Sequence, residues 1–566
     1  MKRPKLLRYV LPFVVLAAVI ALGQHFYHSE PIARGKKQYG GVLRVSSKSK
    51  EVSLFPLANN TLEHQRVQQL IFEPLLKAAE NERGWKYLLA AKIKTDTSSK
   101  KVLIQLKRNI HFADDPCFRF HSSELSAEDV AYSLSLACSN TTQIQQDFLL
   151  TRLIVGGEKF YTQHKDPITS TVSGIRVLDD FSLEIHLTGN YNHFLNVLSN
   201  PSLGILSKQA AKYYGVGLAQ NPVGTGPFRL KSKTVNRMVF ERNAAYWRHD
   251  KHGNQLPYLE RIELTCGVSG QLAHQYFLNN KLDLLFDLPI DDLREAFGTL
   301  NDAKQGKNPL HEVYIKNAAK VHFIQFNSRV GPFRNVAVRK AFALAIDTKA
   351  ICNDILKGEG QELNGQFIPT QKQYENNLLF SDNRTLTQKI AQAKLLLAQA
   401  GYDAQHPLPS IHFYVGAAKN TLAYKWAAAA AQQLQKALPV RIILKETKKT
   451  QQHAGKNIGE MWRSGWVGDY PGAESYLRLF YSEAQNPLVF DHIGVDAYYL
   501  ASIQAQSNEK RLRAQMLCEK AIIDQQALIP IYTEDFIVLN QLHVRGLQLA
   551  GSGMLDFSEL FIKELK

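Results

Sequence analysis

The chain has 566 residues, 45% of them hydrophobic and 10% aromatic, which excludes a disordered polymer. Single cores stop growing at roughly 250–300 residues, so two or three lobes are expected rather than one. The 68 Lys and Arg exceed the 51 Asp and Glu for a net charge of +17. The surplus is scattered, with no basic block interleaved with aromatics to mark a nucleic-acid partner. It speaks instead to solubility, and at most to acidic ligands or an anionic membrane face.

Lys2, Arg3, Lys5 and Arg8 precede an apolar run from Val10 to Leu22, and Ala21 and Gly23 supply small residues before Gln24. This is the layout of an export signal. The run is shorter than the ~20 residues a spanning helix needs, so a cleaved signal and an uncleaved signal-anchor both stay open. Either way the body lies outside the cytoplasmic membrane and touches a membrane only through this segment.

Past Gly40-Gly41, Val42 to Val45 reads as a buried strand. Val67, Leu70, Ile71 and Leu75 share one helical face over 63–76. Val102, Ile104 and Leu106 alternate in a strand over 101–112. Ser126 and Asp129 form a capping-box pattern before a helix over 127–137. Ile175 to Leu187 reads as a hairpin turning at Asp179-Asp180, so 76–199 has the character of an α+β insertion. The turn cluster Asn221 to Phe228 leads into a strand at Arg237 to Arg242, and Val321 to Phe326 is a further strand. Asn335 caps a helix carrying Val338, Phe342 and Ile346. Helices are expected over 387–400, ended by Gly401, and over 421–438, followed by a strand at Val440 to Leu444. That alternation predicts an α/β lobe with a substantially parallel sheet.

Cys117, Cys138, Cys266, Cys352 and Cys518 are widely spaced and form no CxxC pair. One or two disulfides are open for an exported body, with no readable pairing. There is no HExxH helix, P-loop or complete dinucleotide fingerprint. Gly267-Val268-Ser269-Gly270 resembles a nucleophile elbow only loosely, and Gly551-Ser552-Gly553 reads as a turn. No catalytic residue, metal site or cofactor is predicted. These absences lower the expectation of an enzyme without excluding one, and an exported hydrolase stays the lesser alternative.

Several segments, in order, resemble the extracytoplasmic solute-binding proteins of peptide ABC importers, the oligopeptide- and dipeptide-binding class (solute-binding family 5). They are Gly40 to Val45, Ile71-Phe72-Glu73-Pro74-Leu75-Leu76 and Leu125 to Val130 with Tyr132-Ser133. Asn221-Pro222-Val223-Gly224-Thr225-Gly226-Pro227-Phe228 follows, then Arg242-Asn243 with Tyr246-Trp247, Phe326-Asn327, and Phe333 to Ala341. Each is weak alone; their order makes the set specific.

The resemblance implies an α/β, bilobed periplasmic-binding-protein-like fold with an extra α+β lobe. Residues 1–39 would be signal or signal-anchor plus linker, and lobe I would be discontinuous over 40–75, 200–325 and 528–566. Lobe II would span 76–199 and lobe III 326–527, with the ligand enclosed between lobes I and III. It further implies a monomer that binds short peptides, an acidic or murein-derived peptide being a narrower case, and that docks on ABC permease subunits. Family members with non-peptide solutes make such a ligand the alternative.

In Arg463-Ser464-Gly465-Trp466-Val467-Gly468-Asp469-Tyr470-Pro471, the resemblance assigns Asp469 to the peptide ammonium and Arg463 to a ligand carboxylate. Trp466 matches a pocket-wall tryptophan, and Tyr470 is a further expected ligand contact. The segment His111 to Phe120 is longer than the usual family turn and leaves the details of lobe II open.

Overall fold

The structure is a computed structural model. It describes residues 33–563 except 36, 59–60, 80–84, 97, 141–149, 190, 287–310, 358–359, 370–373, 380–381, 448–458, 469, 471, 484–487, 489, 491 and 551, and except the side chains of 317–319. The expected export segment lies outside these residues.

The first sheet has four strands. Strand Val42–Ser46 runs parallel to Arg261–Thr265, which pairs antiparallel with Arg237–Arg242, and that strand with Phe228–Lys233. The period-2 pattern explains its buried face. Leu43, Ile262 and Phe240 stand in one cross-strand row, Val45, Leu264 and Met238 in the next, and all six are buried.

The helix expected over 63–76 is only Leu62–Gln68, capped by Thr61. Its continuation is taken by tertiary hydrogen bonds: Gly226 N donates to Ile71 O at 2.7 Å, and Phe228 N to Leu70 O at 2.9 Å. A Cβ at Gly224 or Gly226 would fall on the Ile71 carbonyl. The glycines of the turn cluster are what let this loop dock.

The α+β insertion carries the sheet Ala90–Asp96, Lys101–Leu106, Ser182–His186, Ile175–Asp179. The strand expected to reach Phe112 ends at Leu106. Helix Ala127–Ala137 begins with the expected reciprocal cap: the Ser126 hydroxyl accepts from Asp129 N, and Asp129 accepts from Ser126 N at 2.9 Å.

The third sheet has the path Leu284–Phe286, Leu528–Gln541, His311–Phe326, Met461–Val467, Ile411–Val415, Ile442–Glu446. It corrects the expected parallel sheet. Only Ile411–Val415 pairs in parallel, with Ile442–Glu446 and Met461–Val467; the other pairings are antiparallel. The parallel part is the strand–helix–strand unit closed by helix Leu422–Ala437. The antiparallel part follows from two long strands, His311–Phe326 and Leu528–Gln541. They run antiparallel side by side, with a register shift between Lys316 and Lys320.

This sheet divides two cores. Val321 and Phe323 face the large core that also holds Leu43, Val102 and Phe240, whereas Ile324 and Phe326 face the core under Trp426 and Phe342. The five cysteines are buried and unpaired, so the open possibility of disulfides is not realised. Burial pushes Cys138 and Cys352 up to about 12, which keeps both as thiols.

Candidate functional site

Strand Met461–Val467 lies between His311–Phe326 and Ile411–Val415, with no register shift against the former. Alternation therefore sorts its side chains. Ser464 and Trp466 stand opposite Phe323 and Val321, toward the large core; Met461 and Arg463 stand opposite Phe326 and Ile324, toward the other.

Trp466 is partly buried. Its indole N–H donates to Ser475 O at 2.8 Å, and the Arg478 guanidinium lies 5.2 Å over its ring. Gly468 follows, where a Cβ would sit 2.8 Å from Ser475 Oγ and 3.0 Å from the Tyr476 ring. The chain is thus pressed against helix Glu474–Leu477 as it leaves the strand. Asp469, the expected ammonium ligand, lies outside the described residues.

Tyr470 is buried, its ring edge-on to His193 of helix Tyr191–Leu198 at 6.1 Å. It lines a cavity of about 150 Å³ together with Phe72, Lys77, Arg248, Met554 and Asp556. Of the four predicted residues, Trp466 and Tyr470 come together in the large core, whereas Arg463 stands on the other face of the sheet.

Glu73 organises part of the lining of this cavity. Its buried carboxylate accepts from Tyr246 Oη at 2.7 Å, Trp247 Nε1 at 2.8 Å and Thr225 Oγ1 at 3.1 Å. Burial pushes this carboxyl above its ordinary range, against those donors. Three sequence segments singled out separately thus meet at one buried group. Beside them, Arg248 and Lys77 reach Asp556 Oδ2 at 3.1 and 3.2 Å. Burial works to raise Asp556, but the two cations outweigh it and hold it below the carboxylate range. Nothing local announced Glu73 as a hub, since its partners lie 152 to 174 positions away.

On Arg463's face, Nη2 donates to His322 Nδ1 at 3.1 Å. His322 Nε2 is 2.6 Å from Glu534 Oε2, which also receives Lys320 Nζ at 2.6 Å. The His322 ring stacks on Tyr532 at 4.4 Å, and Arg463 lies 5.8 Å over the Trp426 ring. Burial lowers His322 to about 4, so it is neutral at pH 7. Neither His322 nor Glu534 was singled out from sequence.

A third cluster supports the Tyr470 segment. Arg511 Nη1 donates to Glu474 Oε1 at 2.7 Å, and His193 Nδ1 is 3.8 Å from the same oxygen, all three residues being buried. Arg152 adds contacts to the Tyr481 hydroxyl and Glu483. The described residues hold no group of three metal-ligating side chains, and no described helix is long and apolar enough to cross a membrane.

Two long paired strands thus run through the third sheet, with a cavity beside the exit of Met461–Val467. The model for bacterial extracellular solute-binding proteins, family 5 (middle), matches residues 84–487, and the chain belongs to that family. It is 25% identical over 427 residues to the periplasmic oligopeptide-binding protein OppA of Escherichia coli (strain K12), covering 72% of this chain and 73% of that one. The solved structure of the Escherichia coli murein tripeptide binding protein MppA matches with a TM-score of 0.77 at 20% identity, over 94% of this chain and 99% of that one. Haemophilus influenzae OppA in complex with RPPGFSPFR matches with a TM-score of 0.76 at 19% identity, over 94% and 99%. At these identities the structural likeness establishes the fold.

Proposed function

We propose that this chain is the peptide receptor of an ABC importer: it encloses short peptides between lobes I and III and delivers them to permease subunits, without turnover. The observation that carries the reading is Tyr470, which follows Asp469 directly and lines a cavity with Phe72, Arg248 and Asp556. Lobe I takes 40–75, 200–325 and 528–566, lobe II 76–199, and lobe III 326–527. The receptor acts outside the cytoplasmic membrane as a monomer, released or held by its N-terminal segment.

Asp469 holds the ligand ammonium and Arg463 its carboxylate, with Trp466 and Tyr470 as walls. A receptor for many sequences must grip what all peptides share: the two termini and the backbone. A carboxylate shielded by lobe closure gains roughly 1.5–3 kcal/mol from each charge-assisted hydrogen bond. The likeness to a murein tripeptide binding protein supports a murein-derived peptide as the second reading.

The test is mass spectrometry of small molecules released from the purified protein. Intact short peptides are expected; a non-peptide solute alone would overturn the proposal.

A further inference from the structure

We propose that His322 and Glu534 are positioning residues that set Arg463 for a ligand carboxylate, making the receptor selective for peptides with a free C-terminal carboxyl group. This rests on Arg463 being the ligand's carboxylate contact.

Arg463 Nη2 donates to His322 Nδ1 at 3.1 Å. That nitrogen must then carry no proton, which places the ring proton on Nε2, facing Glu534 Oε2 at 2.6 Å. Both ring nitrogens are thereby committed, and one tautomer is held from two sides. The ring is 2% exposed and stacked on Tyr532 at an interplanar angle of 18°, so it has no freedom to turn away. The neutral state at pH 7 agrees with the downward push of burial on this imidazole.

The charges do not balance. Among the described residues, Glu534 is the one carboxylate in contact with this group, and Lys320 already occupies it at 2.6 Å. Arg463, Lys320 and Glu534 with a neutral His322 leave one positive charge over. Arg463 spends a single Nη2 contact on a neutral acceptor, and its buried Nε has no hydrogen-bond partner among the described residues. A guanidinium offers five N–H donors in a planar fork that matches a carboxylate. The relay fixes one corner of that fork and leaves the rest to a ligand anion. Lys320 and His322 sit on one lobe-connecting strand and Glu534 on the other, so the fork is braced on both.

The experiment is calorimetric titration of the full-length protein with trialanine and with trialanine amide. Wild type, Arg463→Ala, His322→Phe, His322→Gln and Glu534→Gln are compared. Phe keeps a ring against Tyr532 but removes the Nδ1 acceptor; Gln can both accept from Arg463 and donate to Glu534. The wild type is expected to favour the acid by about tenfold or more, a preference that Arg463→Ala abolishes. His322→Phe and Glu534→Gln lower the acid/amide ratio at least fivefold with amide affinity within twofold, and His322→Gln restores the ratio. A structural defect would weaken both peptides equally. An undiminished ratio in His322→Phe and Glu534→Gln overturns the relay and leaves the Arg463 contact standing. A ratio near one in wild type, or one unchanged in Arg463→Ala, overturns the Arg463 contact itself. Binding of neither peptide overturns the peptide reading.

Discussion

Arg463 and Trp466, three residues apart on one strand, project from opposite faces of the third sheet, one onto His322 and the other onto Ser475 O. A single strand therefore serves two environments, and substitutions at its two residues should fail in different ways.

Trp466→Phe keeps the ring but loses the indole donor, leaving Ser475 O without it. Unfolding in urea should show a loss of about 1–2 kcal/mol with an unchanged m-value. Preference for trialanine over its amide should be unaffected, since Arg463 is on the other face.

Asp469→Asn removes the proposed counter-charge of the ligand ammonium. Trialanine affinity should fall by roughly 2–5 kcal/mol, since the other charge is left unpartnered. N-acetyl-trialanine should bind wild type and variant equally weakly. Equal trialanine affinity in the two proteins would remove Asp469 from the site.

Gly226→Ala puts a methyl group onto the Ile71 backbone, where no flexible side chain can give way. The loop that ends helix Leu62–Gln68 must shift, and a cost of about 1–3 kcal/mol is expected. A melting temperature within 1 °C of wild type would contradict it.

Arg511→Met leaves Glu474 buried without its cation. Breaking a buried pair from one side costs about 3–5 kcal/mol. The loss should show in the denaturation midpoint and in faster hydrogen exchange across 473–480, the segment that Glu474 anchors.

Acid should destabilise the protein in two stages. Burial holds His193 and His322 down to about 4, against 6.5 when unfolded. The unfolded chain therefore binds more protons, and stability falls as pH drops from about 6.5 to about 4, on the order of 3 kcal/mol apiece. Glu534 and Asp556 are held below their ordinary range by Lys320 and Arg248, which outweigh burial. Their contribution is present above about 4.5 and is lost as pH falls further. Thermal melts at pH 7, 5.5 and 4.5 check the first stage, and His322→Gln should flatten it.

Local signals decided much of this protein. The Ser126–Asp129 cap, the Thr421-capped helix and the 175–187 hairpin are legible because their chemistry closes within a few residues. The family is legible because its markers recur in order. What the markers do was not. Ile71 to Leu76 reads as the end of a longer helix, yet a loop about 150 residues later takes its carbonyls and makes Glu73 the hub for Thr225, Tyr246 and Trp247. Likewise the separation of Arg463 from Trp466 follows from period 2 only once 461–467 is known to be a strand, and it becomes one by pairing with partners far away in the chain. His322 and Glu534 are 212 positions apart and carry no motif. Sequence settles what neighbours can settle with one another. Which buried charge meets which partner depends on burial and register, and those exist only once distant strands have paired.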